Sequence, residues 1–241
     1  MKWLPSFKNR SSQRELMDDP SVPEELLAEA MSDLRTVNRW LGGHAVTLQG
    51  LKPFLQSPAN APCHILDVGC GNGEFLRHLA RYCHKNDIPV RLTGWDLNPK
   101  HVASAKALSA GSDELRFEQR DILHPNALPQ ANTIMVCNLF LHHFSDDQIM
   151  GLLESWKQAG CKAIIINDLH RNPLAYYLFQ LFGLIFMKSR IAKHDGRISI
   201  QRGFVKRDLE GLRKHMEGLD CQISWKWAFR YLCVLRSKNC L

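Results

Sequence analysis

The 241-residue sequence has eight cysteines but no C-x-x-C pair, so it lacks the spacing on which a zinc knot or a dithiol redox site is built. Cysteines 63, 70, 83, 137, 161, 221, 233 and 240 mostly fall in or beside apolar runs, and neither a disulfide nor a metal site is expected from them. Apolar length is missing too. The longest run, residues 174 to 187, is interrupted by Gln180 and falls short of the roughly 20 residues of a membrane span. Met1-Lys2-Trp3-Leu4-Pro5 opens no apolar stretch of signal-peptide length, and a cytoplasmic location is expected. Acidic residues are scarce near the end: between Lys188 and Lys238 there are 13 Lys or Arg against 5 Asp or Glu, where the overall net charge is +7. A solvated basic face, an anionic substrate or lipid surface, and RNA all remain open as reasons for that excess. Nothing sets an oligomeric state.

What is present begins with Ile65-Leu66-Asp67-Val68-Gly69-Cys70-Gly71-Asn72-Gly73-Glu74, an apolar strand running through a glycine-rich turn into a helix. Glycines at 69, 71 and 73 let the backbone turn sharply and approach a ligand, and the helix start offers free N–H groups. A dinucleotide fingerprint needs a further glycine three positions after Gly71, and Glu74 stands there instead, where its carboxylate would oppose a pyrophosphate. Asp67 suits a ligand bearing an ammonium or sulfonium.

Upstream, residues 1 to 60 show no strand pattern. Ser21-x-x-Glu24 has the form of a capping box, and apolar positions 27, 30, 34, 37 and 41 predict a helix that Gly42-Gly43 would stop. Pro53 and residues 57 to 62 are expected to form a linker into the sheet. Candidate strands follow at 64–68, 91–96, 115–121, 133–139 and 163–167, alternating with helical patterns, and two closing strands at 222–227 and 231–236. The expected fold is α/β, a doubly wound, mostly parallel sheet of seven strands. Its expected division is a helical N-terminal lid at 1–60 and a ligand-binding domain at 61–241, with an apolar helical insertion at 172–200. Asn172-Pro173 caps that insertion's first helix, whose nearly uniform apolarity requires it to be buried, to cover an apolar pocket or to lie against a membrane.

The segment 65–74 resembles motif I of the class I S-adenosylmethionine (SAM) methyltransferases, and the resemblance extends over residues 64 to about 170. It implies SAM as cofactor, held by Asp67, Gly69, Cys70 and Gly71 at the first strand, and by Asp96 and Leu97 at the end of the second, where a carboxylate receives the ribose hydroxyls. Asp121 and Ile122 would read the adenine edge; Asn138 and Leu139 would face the methionyl part. Asn138 is not followed by the Pro-Pro-aromatic sequence of enzymes that methylate base or amide nitrogens. Leu141-His142-His143-Phe144 instead resembles methyltransferases acting on quinone and lipid precursors. O-methylation of a small phenolic, polyketide or quinone-like acceptor is therefore the expected reaction. An RNA methyltransferase and a catalytically lapsed binding protein are the alternatives, with nucleic acid disfavoured. His143, His142 and His194 are the candidates for removing a phenolic proton. His194 stands in Lys193-His194-Asp195-Gly196, expected to be a loop in which the adjacent Asp is unlikely to pair with it. Trp40, His44, His170, Tyr176 and Arg202 are the candidates for acceptor contact.

Overall fold

A computed structural model of the chain describes residues 5–19, 21–57, 62–124 and 127–237. Strands β1 (Cys63–Val68), β2 (Val90–Asp96), β3 (Leu115–Gln119), β4 (Ile134–Asn138) and β5 (Ala163–Leu169) are parallel, and β6 (Leu219–Lys226) with β7 (Arg230–Ser237) completes the sheet as a hairpin. The order is β3-β2-β1-β4-β5-β7-β6, with β7 antiparallel to both of its neighbours. The direction of winding reverses between β1 and β4, so a crevice opens beyond their carboxyl ends. The strands are apolar on both faces because both are covered. In β5, Ile164 and Ile166 enter one core and Ile165 the other.

One face carries α2 (Gly43–Leu55), α3 (Glu74–Lys85) and α4 (Pro99–Leu108); the other carries α5 (Asp146–Gln158) and α8 (Lys206–His215). Their starts follow from side chains. Asn98 accepts from Lys100 N ahead of Pro99, and Ser145 with Gln148 closes a reciprocal capping box on α5. A third, smaller core lies beyond the sheet, where Met17, Leu27, Ala30 and Val37 of the N-terminal region meet Met187 and Ala192. It joins a 3-10 turn at Leu16–Asp18 and α1 (Glu24–Trp40) to α6 (Pro173–Phe186) and α7 (Arg190–Arg202).

Several sequence expectations are corrected. Ser21 and Glu24 make no capping box: α1 starts after Pro23, with no side-chain cap. Gly42-Gly43 ends α1 but also begins α2, and Pro53 lies inside α2 rather than in a linker; residues 58–61 of that linker are outside the described residues. Nor is α2 part of a lid. It packs on the sheet so closely that a Cβ at Gly50 would crowd Ile165 and Leu232. The expected loop around His194 is helix α7, and Gly196 is tolerated mid-helix because the Phe179 ring of α6 occupies the space a Cβ would fill. The third strand stops at Gln119 and the fourth at Asn138, leaving Asp121 and Leu139 in the loops that follow. Helix α6 buries only Ala175 and Gly183 fully; Leu174, Leu181, Leu184 and Ile185 are exposed, and Trp40 stacks on Phe186.

Candidate functional site

A cavity of about 1710 Å³ opens at the carboxyl ends of β1 and β4 and continues toward α6 and α7. It exceeds the 300–1,000 Å³ usual for one small ligand, which leaves room for two.

At its sheet end Asp67 is buried, and its Oδ1 has no hydrogen-bond partner. Burial pushes this carboxyl well above the ordinary range, and the nearby Asp96 carboxylate raises it further. Such an orphaned acid fits a cationic ligand group. Gly69 adopts φ +70°, and a Cβ there would collide with the Phe140 ring; at Gly71, φ +55°, a Cβ would meet only the Met31 methyl at 3.8 Å. Asp96 organises the loops: Oδ2 accepts from Gly71 N at 2.8 Å and Oδ1 from Asn98 N at 2.9 Å. Oδ1 also lies 3.3 Å from His101 Nδ1, while Oδ2 keeps a lone pair for a ligand hydroxyl. Asp121 accepts from Leu123 N and caps its own loop. Asn138 Oδ1 is held by Thr47 Oγ1 at 3.0 Å and by Asn167 Nδ2 at 2.9 Å, so α2 supports it from behind. Leu139 sits at φ +54°, an uncommon conformation for a leucine, with its N–H on Asn167 O.

At the other end the 3-10 turn Leu141–His143 presents two stacked imidazoles, with ring centroids 4.4 Å apart. His142 Nδ1 lies 2.7 Å from Asp168 Oδ1, and its Nε2 lies 3.4 Å from Glu15 Oε1. His143 lies between Glu15, 3.9 Å from Nε2, and Asp18, 3.3 Å from Nδ1. Burial alone would lower the His142 pKa, but Asp168 and Glu15 outweigh it and lift it to about 9. Burial likewise opposes ionisation of Glu15, yet His142, His143 and the Ser199 hydroxyl bring it down to about 2. Arg10 and Arg202 grip the turn from outside through the carbonyls of His142, His143 and Phe144. The far wall is apolar: Leu178, Phe179 and Phe182 of α6.

All ten residues expected around the cofactor line this cavity: Asp67, Gly69, Cys70, Gly71, Asp96, Leu97, Asp121, Ile122, Asn138 and Leu139. His142, His143, His44 and Arg202 line it as well, although the Arg202 guanidinium is spent on backbone carbonyls. His194, Trp40, His170 and Tyr176 are not in its wall. His194 pairs with Asp195 at 2.8 Å after all, while Asp195 is anchored by the N–H groups of Leu16 and Met17. His170 packs against Tyr231, and Tyr176 against Phe7. Sequence reasoning gave no role to Glu15, Thr47 and Asn167. It also missed Arg230, a buried cavity-lining cation whose Nε and Nη1 have no partner.

Residues 65–159 match a family model described as a methyltransferase domain. The chain is 27% identical over 164 residues to the ubiquinone biosynthesis O-methyltransferase of Aeromonas salmonicida, covering 61% of this chain and 65% of that protein. It thus spans just under two thirds of that curated relative. Among solved structures it resembles the plantazolicin methyltransferase bound to S-adenosylhomocysteine, at TM-score 0.65 and 17% identity over 90% of this chain and 92% of the other. Magnesium protoporphyrin IX methyltransferase from Synechocystis PCC 6803, also with S-adenosylhomocysteine, aligns at TM-score 0.55 and 16% identity, over 86% and 94%. Fold, strand order and glycine-rich turn define the class, that of Rossmann-like α/β folds with a site at the carboxyl ends of β1 and β4. The domain match makes it narrower: residues 65–159 match a methyltransferase domain, and the similar solved structures hold S-adenosylhomocysteine, consistent with SAM as cofactor.

Proposed function

We propose that this protein transfers a methyl group from SAM to the oxygen of a small apolar or aromatic acceptor of phenolic, polyketide or quinone-like type. The observation that carries the reading is the continuity of one cavity from Asp67 and Asp96 to an imidazole–carboxylate cluster walled by the apolar side of α6. Bound SAM supplies a methyl group on a sulfonium, so the protein's work is to position the acceptor, exclude water and accept the acceptor's proton. Asp67 and Asp96 hold the charged and hydroxyl-bearing parts of the cofactor. Phe140, wedged against Gly69 and 6.3 Å from the His143 ring, stands between the two ends. Leu178, Phe179 and Phe182 receive the acceptor's apolar body, and Glu15 with His143 receives its hydroxyl.

The outer face of α6 supports a second role in this reading. Leu184 and Ile185 are 71% and 65% exposed, and Lys188 and Arg190 stand exposed just beyond them. Apolar side chains flanked by cations suit the surface of an anionic membrane, from which a lipid-like acceptor would enter. No described helix is long and apolar enough to cross a membrane. The RNA reading is weakened because Arg171, Arg202 and Arg230 are buried in the protein.

The test is calorimetric titration with SAM, S-adenosylhomocysteine and, as control, NAD, followed by transfer of labelled methyl to a panel of phenols and quinols. Micromolar binding of the first two, with labelled ether as product, is the expected result. Absence of SAM binding would overturn the reading.

A further inference from the structure

We propose that Glu15, His142 and His143 form a binding site for one divalent transition-metal ion of the zinc type at the acceptor end of the cavity. The proposal rests on the acceptor reading above and names what the cluster does there. One ligand atom from each residue falls within a sphere of mutual distances below 4.8 Å. The two Nε2 atoms face opposite oxygens of the same carboxylate, at 3.4 and 3.9 Å. A tetrahedral ion with bonds of roughly 2.0–2.1 Å holds its ligands about 3.4 Å apart, so small side-chain adjustments suffice.

Independent of this spacing is the state of His142. The residue is 3% exposed and its Nδ1 is firmly placed on Asp168 at 2.7 Å, while its Nε2 makes no well-formed hydrogen bond and has only the Glu15 carboxylate, 3.4 Å away, before it. An imidazole that donates Nδ1–H to a carboxylate is oriented as metal-binding histidines are, and a bound ion would take the place of the proton that Nε2 otherwise holds toward Glu15. His143 repeats the pattern with Asp18 at 3.3 Å from Nδ1. Two imidazoles therefore face three carboxylates: Glu15, Asp18 and Asp168. Of the neighbouring cations, Arg10 is paired with Asp146, and Arg202 is directed to the carbonyls of His142 and His143. A net negative site with imidazole donors prefers a transition ion to magnesium or calcium.

Three protein ligands leave a position toward the cavity, as in catalytic metal sites. With Glu15 and His143 engaged as ligands, an acceptor hydroxyl taking that position would lose its proton more readily and pass it to solvent rather than to those side chains. Its oxygen lone pair would form the new bond to carbon while the S–CH3 bond breaks and its electron pair stays on sulfur, so charge and atoms balance.

The experiment uses the full chain stripped of metal with EDTA and titrated with Co2+, whose visible absorption reports tetrahedral ligation. One equivalent of cobalt is expected to bind, to be displaced by Zn2+, and to be lost at least tenfold in Glu15→Gln and His143→Ala, while the exposed His215→Ala retains it. Far-UV circular dichroism establishes that each variant is folded, and SAM titration of the same samples establishes that the cofactor end is intact. Fewer than 0.1 equivalents of cobalt on a folded, SAM-binding protein would overturn the metal site and leave a buried ion-pair cluster. Cobalt binding unaffected by both Glu15→Gln and His143→Ala would overturn it as well. Failure to bind SAM would sink the underlying methyltransfer reading instead.

Discussion

The two ends of the cavity are built in different ways. The cofactor end comes from strand ends and the turns after them, in which each functional residue lies on or within a position or two of the strand that aims it: Asp67 near the end of β1 with Gly69 just after it, Asp96 closing β2, Asn138 closing β4. The acceptor end is assembled from pieces distant in sequence. Glu15 meets Ser199, Arg10 meets Asp146 and Arg202, and Asp195 anchors Leu16 and Met17. Backbone strain and an unpaired acid mark the first end; buried charge pairing marks the second. The difference teaches that binding of the cofactor and handling of the acceptor can be damaged separately.

Asp168→Asn should have the largest effect. Removing one partner of a fully buried pair costs about 3–5 kcal/mol, here by stranding His142, and thermal unfolding should show it. SAM affinity of the protein that remains folded should be unchanged, and a parallel loss of SAM binding would break the separation between the ends. Gly69→Ala should act the other way round. Left-handed strain together with collision against Phe140 should cost roughly 2–4 kcal/mol and abolish SAM binding, whereas an alanine variant with normal calorimetry would remove this turn from the site.

Asp67→Asn should weaken SAM binding about 10- to 100-fold, the worth of one charge-assisted contact, yet stabilise the ligand-free protein. The sign follows from linkage: the folded-state pKa is raised, so the native state holds the proton more tightly and the ligand-free protein loses stability as pH rises above about 3.9. The asparagine variant should lack that slope in melting curves recorded from pH 4 to 8. The smallest effect is expected at His44, which burial, aided by His78 and Arg230, lowers to about 4. Its contribution is present above the ordinary pKa near 6.5 and disappears as pH falls from 6.5 to 4. His44→Gln should flatten that acid sensitivity, seen by denaturant titration at pH 7 and 4.5; identical slopes in both proteins would assign the acid response to other groups.

The same contrast explains what the sequence revealed. The glycine-rich turn, the acids at strand ends and the parallel sheet were legible because each is specified by neighbours in the chain, through φ preferences, alternation and burial. No neighbour in the chain gives Glu15 a role; that arises only when the 3-10 turn at Leu16–Asp18 docks on α7. Within the helical insertion expected at 172–200, the loop expected around His194 is helix instead, because the Phe179 ring fills the Cβ space of Gly196. Asn172, by contrast, marked the start of α6 correctly, since capping is decided within three residues. The exposed face of that helix could not be read from its composition, which is the same on both sides.

The clasp between the N-terminal segment and α7 also sets a timetable. Gln13 and Arg202 are 189 positions apart, so at a synthesis rate of about 5–20 residues per second the first must wait some 10 to 40 s for the second to be made. During that interval β1 to β4 are already available to pair. A nascent chain can therefore acquire its cofactor half well before its acceptor half exists, with the early-made segment joining last.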